Sequence, residues 1–263
     1  MDRSACDVSI APVSQATAAR FTDLYFRRPF LIFIRSGSKV VTCPLHGEIE
    51  GREGDVMIFP PGVVLTMENR PLADRHYQAE GVNFSDDLIE EVFTQTPVLQ
   101  RKAGIQILRA ASHQPQAVLR LLKETLATTD LPPEIRRHRL LEPLIWLKHQ
   151  GVVLPLLGED TPHARVRELI ERDLSHDWRA PEVARDLGMS EATLRRWLAK
   201  SGHGFSGILL NTRLERGLGL LQTTGQPISE IALDCGFKTP SHFSDAFKKR
   251  FGIPPKSIRT VEA

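Results

Sequence analysis

EIALDCG, residues 230 to 236, decides how the C-terminal half of this chain is read, because EVARDLG at residues 182 to 188 is nearly the same phrase. Both copies carry a glutamate, a β-branched aliphatic, an alanine, an aspartate and a glycine at matching places, 48 positions apart. A solenoid array needs several copies, and two are found here. One supersecondary unit used twice is the better reading.

Working outward from the first copy, Val183, Ala184 and Leu187 recur at helical spacing, and Gly188 supplies the backbone freedom for a tight turn. Ser190 is suited to cap a second helix, whose Leu194, Trp197 and Leu198 form a buried stripe before Gly202 ends it. Arg195 and Arg196 then lie on or beside the free flank. The second copy repeats the plan. Ile228, Ile231, Ala232 and Cys235 share one face, and Gly236 breaks the helix. Thr239 caps the next, with Pro240 at its first position, Phe243, Phe247 and Phe251 as an aromatic stripe, and Gly252 with Pro254 and Pro255 as the stop. The opposite face carries Ser241, Ser244, Asp245 and Lys248, side chains that a helix in a major groove can present to base edges. Between the units, Leu210, Leu214, Leu218 and Leu221 make Phe205 to Gln222 a connecting helix, in which Gly217 and Gly219 each cost about 1 kcal/mol relative to alanine. That cost predicts local softness. Each unit is helix, turn, helix.

The N-terminal half is written differently. FLIFIRSG, KVVTCPL, GDVMIFPPG and RHYQAEGVNF, within residues 29 to 84, are short β-rich runs cut by Gly, Pro and Asn, which suggests a small barrel or sandwich. Ser85 caps a helix over SDDLIEEVF. Two longer helices are expected over Gln114 to Thr128, with Val118, Leu121, Leu122 and Leu126 on one face, and over Pro133 to Gln150, with Leu140, Leu141, Leu144, Ile145 and Leu147. The second face is wider than one barrel contact needs. GVVLPLLGEDTPHAR, Gly151 to Arg165, has the character of an interdomain linker.

Composition limits the alternatives. The 263 residues suffice for two domains with their own cores, and 41% apolar with 25% charged residues is globular composition. The longest apolar run, Phe30 to Ile34, is far below the ~20 residues of a membrane helix, and MDRSACDVSI has no signal-peptide core, so a cytoplasmic location is expected. Cys6, Cys43 and Cys235 are scattered without a CxxC pair, which supports neither a disulfide framework nor a zinc site. Net charge is only +2, but Ser190 to Thr260 holds 11 Lys or Arg against five Asp or Glu. That asymmetry suits a polyanion, although clustered lysines are more often a solvated helix face.

The repeat, and above all PISEIALDCGFKTPSHFSDAFKKRFGIPPKSIR from Pro227 to Arg259, resembles the DNA-binding domain of the AraC/XylS family of bacterial transcription regulators, over roughly Arg165 to Arg259. The resemblance implies two recognition helices entering successive major-groove segments of promoter DNA, with a separation near one duplex turn, ~34 Å. By position it places base contacts of the first reader at Ala192, Arg195 and Arg196, and of the second at Pro240, Ser241, Ser244 and Asp245. Lys248, Lys249 and Arg250 follow as backbone contacts or solvated charges. Asp245 departs from the basic residue many members place there: a carboxylate accepts from cytosine N4 but repels phosphate. GEIEGREGDVMIFPPGVV is similar, more loosely, to the family's cupin-like sensory domain. His46 and His76 lack the clustered spacing of a metal-binding cupin, so neither metal nor other cofactor is expected.

The expectation is therefore an α+β multidomain protein. Residues 1–155 form a cupin-like β-barrel with a helical segment for dimerisation or packing, 156–164 a linker, and 165–263 an all-α domain with two helix-turn-helix units. It reads as a DNA-binding regulator, more an activator than a repressor, with RNA polymerase as a partner, a homodimer as one arrangement, and a small-molecule or protein effector. The competing class is a DNA-tethered enzyme, either a metal cupin or a repair protein with a cysteine nucleophile such as Cys43.

Overall fold

The computed structural model describes residues 7–43, 47–93, 104–155, 161–199 and 204–260. The chain divides into two compact units, Met1–Gly158 and Glu159–Ala263. The first contains strands β1 (Val8–Gln15), β2 (Ala19–Phe26), β3 (Phe30–Ser36), β4 (Ser38–Cys43), β5 (Gly47–Arg52), β6 (Val56–Phe59), β7 (Val63–Arg70), β8 (Tyr77–Phe84) and β9 (Gln106–Leu108). Among the described residues they form a five-stranded sheet in the order β1-β8-β3-β6-β9 and a four-stranded sheet in the order β2-β7-β4-β5. The two close on each other as the cupin-like barrel: Gly51 on β5 packs so tightly on Ile34 and Met57 of the other sheet that a Cβ there would lie 2.8 and 2.7 Å from their side-chain atoms.

β3 is apolar without alternation because both its faces are covered. Ile34 points to the other sheet, while Leu31 and Phe33 face outward into a second core, with Val56, Ile58, Val82 and Phe84. That core is completed by α1 (Asp86–Phe93), α3 (Pro115–Ala127) and α4 (Pro133–His149), through Leu88, Ile89, Leu119, Leu122, Leu140, Leu144 and Leu147. Each such leucine is worth about 1.5–3 kcal/mol of burial. The broad apolar face of α4 is thus split: its leucines pack on the sheet, and Ile145, expected with them, is 50% exposed.

Strands β1, β2, β7 and β9 lie outside the four β-rich runs of the sequence reading, and the first two show why. β1 contains Pro12, tolerable because β1 is an edge strand, and β2 contains Asp23 at φ +54° inside a bulge between Phe21 and Leu24. Both interrupt the alternation that marks a strand. The Gly-Asp pair before β6 ties the barrel to the segment that follows β9. Gly54 turns at φ +89°, and Asp55 accepts from Arg52 N (2.9 Å), Arg109 Nη1 (3.0 Å) and Ala110 N (2.8 Å). It thereby anchors the short helix α2 (Ala110–His113) to the barrel.

Inside the barrel lies a polar group that hydropathy does not anticipate. Lys39, 2% exposed, donates to Asn69 Oδ1 (2.5 Å) and contacts Met67 Sδ (3.2 Å), and Asn69 donates to Gln15 Oε1 (2.8 Å). These Nζ partners are uncharged, and burial pulls the lysine from its ordinary 10.5 down to about 7. Between those values the native lysine is neutral while the unfolded one is charged, so the unfolded state holds the extra proton. The stability of this unit should therefore climb from pH 7 towards pH 10 and flatten below 7, whereas Lys39→Met should abolish that slope. Urea denaturation of both proteins across this range checks it; equal slopes would refute the assignment.

The second unit is helical: α5 (Pro162–Arg172), α6 (Ala180–Asp186), α7 (Glu191–Ala199), α8 (Phe205–Thr223), α9 (Ile228–Asp234), α10 (Pro240–Phe251) and a closing 3-10 turn, Pro255–Ile258. The sequence reading does not include α5. Thr161, accepting from Ala164 N (3.1 Å), caps it, so Thr161 to Ala164, expected within the linker, belong to a helix start. Residues 156–160 of that linker, with Cys6, His46 and Gly202, lie outside the described residues. Among the described residues no helix is long and apolar enough to cross a membrane.

Candidate nucleic-acid interface

Each copy of the repeated phrase builds a helix and the turn after it. In the first, Val183 and Ala184 of α6 are buried, Gly188 adopts φ +71°, and Ser190 Oγ accepts from Thr193 N (3.2 Å) to start α7. Leu194 and Leu198, each 1% exposed, seat α7 in a core with Val166, Leu169 and Ile170 of α5 and Ile208 of α8. Trp197 is half-buried beside them. Ala192, Arg195 and Arg196 are left exposed, as the helical spacing requires. Arg195 pairs with Glu191 one turn earlier at 3.0 Å, with 81% of its side chain exposed. A surface pair of this kind contributes about 0–1 kcal/mol, so little holds the guanidinium back from another acceptor.

In the second module, Ile231, Ala232 and Cys235 are buried and Gly236 turns at φ +77°. Thr239 Oγ1 accepts from His242 N (3.2 Å), Pro240 opens α10, and Gly252 closes it at φ +78°. Phe243, Phe247 and Phe251 form the inward stripe, their rings 5.6 and 4.7 Å apart in succession, with Phe237 5.2 Å from Phe243. Pro240, Ser241, Asp245, Lys248 and Lys249 are exposed, and Ser244 is half-buried at the border of the same face.

Arg250 is the departure. Expected among the surface cations, it turns inward, donating to Glu215 Oε1 (2.5 Å) and to the Asn211 carbonyl (2.8 Å) of α8. Arg259 likewise donates to the carbonyls of Leu221 (3.1 Å), Gln226 (2.6 Å) and Thr224 (2.8 Å), closing the C-terminus of α8. Arg213 holds the carbonyls of Leu174 (3.0 Å) and His176 (2.8 Å). Much of the positive excess in this half therefore ties helices together, and the outward charge is carried by residues such as Arg195, Arg196, Lys248 and Lys249. The inward partners of Arg213 and Arg250 lie 35 to 39 positions away, beyond any local pattern.

α8 also differs from its expected stripe. Leu214, Leu218 and Leu221 are buried, but Leu210 is 40% exposed, and Ile208, Thr212 and Gly217 complete the inner face. Gly217 is not a soft point: a Cβ there would come within 2.6 Å of Phe243, so the glycine lets α10 lie against the rod. At Gly219 nothing lies within 4 Å.

For the enzymatic alternative, Cys43 and Cys235 are buried free thiols, and burial pushes Cys235 up to about 11, leaving it almost wholly protonated near neutrality. His76 is exposed, and the described residues contain no cluster of three or more His, Cys, Asp or Glu able to hold a metal.

A family of helix-turn-helix domains matches residues 183–260. Over 215 residues the chain is 33% identical to the HTH-type transcriptional regulator YdeO of Shigella flexneri, covering 76% of this chain and 81% of that one. It is 39% identical over 102 residues to the transcriptional regulator SirC of Salmonella typhimurium (strain SL1344), a match that spans 35% of SirC and 38% of this chain. Its fold is that of ToxT from Vibrio cholerae O395, with a TM-score of 0.63 over 97% of this chain and 98% of that one, at 17% identity. YdeO and SirC are both named as regulators of transcription.

Two glycine substitutions separate packing from propensity. Gly236→Ala would set a methyl 2.1 Å from the Leu174 carbonyl at a positive φ, and should destabilise this unit by about 2 kcal/mol or more. Gly219→Ala, in open helical space, should stabilise it by up to about 1 kcal/mol. Thermal denaturation of the two variants checks both signs.

Proposed function

The chain belongs to the AraC/XylS family of bacterial transcription regulators, a DNA-binding family, and on that premise we propose how its parts divide the work. α7 and α10 enter successive major-groove segments of promoter DNA. Ala192, Arg195 and Arg196 meet the base edges of one box, with an arginine in bidentate contact with guanine. Pro240, Ser241, Ser244 and Asp245 meet the other, where Asp245 favours a cytosine amino group, and Lys248 and Lys249 neutralise phosphates. The observation carrying this reading is that both helices bury an apolar stripe and leave these side chains at the surface.

Residues 1–155 act as the sensory part, joined through 156–160 to the DNA-binding part, which begins with the cap of α5 at Thr161. A small-molecule or protein effector in or near the barrel changes dimerisation or the linker, and so the reach of the two readers. Such control requires different effector affinity in the two states. Ile135 and Ile145, 48% and 50% exposed on α4, favour a homodimer through that helix. Activation through contact with RNA polymerase, in the cytoplasm, completes the reading.

Mapping the chain's genomic sites and titrating the full protein onto those fragments tests it. Sequence-independent binding at all salt concentrations would overturn the base-reading roles. Arg195→Ala should cost about 1–3 kcal/mol at the preferred site and relax selection at one base pair. Lys248→Ala should instead weaken all sequences alike and reduce the salt slope by about 1. Competition binding against single-base variants of the site distinguishes the two patterns.

A further inference from the structure

α8 grips both helix-turn-helix modules along one short stretch, from two sides. On one side Arg213 donates to the carbonyls of Leu174 and His176, in the loop after α5, and packs where a Cβ of Gly236 would stand. The loop of the first module thus touches the turn of the second. On the other side Glu215 accepts from Arg167 of α5 through Oε2 and from Arg250 of α10 through Oε1. The side chains of Arg167, Glu215 and Arg250 are only 4, 10 and 11% exposed.

A buried Arg–Glu–Arg arrangement is a weak source of net stability, because desolvation offsets most of its attraction and apolar replacements are often as stable. Its particular property is direction: guanidinium donors held on a carboxylate constrain both distance and angle. α5 shares a core with α7, whereas α10 is itself the second reader, so the carboxylate between them constrains the rotation of one module against the other.

We propose that Glu215 is a positioning residue that fixes the phase between the two reading helices, and thereby makes the protein select one spacing between its two DNA boxes. This rests on the two-box reading above. An inserted base pair moves the second box by about 3.4 Å and turns it by about 34°, which a locked pair of helices cannot follow and a loosened pair can.

The test presents a randomised double-stranded DNA library to the full chain, to Glu215→Gln and to Arg250→Lys, and then measures binding to duplexes one base pair longer or shorter between the boxes. The wild type should return two boxes at one spacing and penalise either change by roughly tenfold; both variants should return the same boxes with a penalty of about threefold or less. If Glu215→Gln fails to fold, Arg250→Lys, which keeps the charge, decides alone. An unchanged penalty, or an equal loss of affinity at every spacing, overturns the proposal, since a purely structural role weakens all spacings alike. A wild-type library returning a single box overturns it too, and only that outcome also removes the two-box reading.

Discussion

The C-terminal unit depends on a constraint located in one turn of α8, where Arg213, Glu215 and Gly217 face different neighbours. Each solves a different physical problem: Arg213 satisfies loop carbonyls, Glu215 balances two buried guanidiniums, and Gly217 removes the side chain that would hold Phe243 away. Without that close approach the aromatic stripe of α10 would lose its seat on the rod. The polar faces of α7 and α10 are therefore consequences of inward packing, since a helix whose apolar side is committed to a core has only its other side to offer.

The N-terminal unit is organised by a sheet covered on both faces. Its inner side closes the barrel and its outer side supports the helices, so β3 and β6 belong to two cores at once. Apolar pressure explains most of this unit, with Asp55 and the cluster of Lys39, Asn69 and Gln15 among the exceptions. Burial of this amine among neutral partners favours its uncharged form, which composition does not advertise.

How much of the molecule can be read from the chain follows from how local each signal is. Caps, turn glycines and the stripe of α10 are encoded within a few residues, and Ser190, Thr239, Gly188, Gly236 and the three phenylalanines stand where their spacing implies. β1 and β2 are illegible because a proline and a bulge break their alternation. Arg250 reads as a surface charge because nothing nearby in the chain announces Glu215, and Leu210 reads as inward because a leucine repeat does not state how wide the buried face will be. The candidate reading faces are legible in position; their internal bracing is not.

The two turn glycines, alike in sequence and in backbone angle, differ in their surroundings. Nothing lies within 4 Å of a Cβ at Gly188, whereas Gly236 is hemmed in by the Leu174 carbonyl and Arg213. A duplicated motif thus has unequal room at its turns: the first is limited by the positive φ of Gly188, while the second is also held by its neighbours. On the proposed two-box reading, a change of residue at the second turn is the more costly of the two.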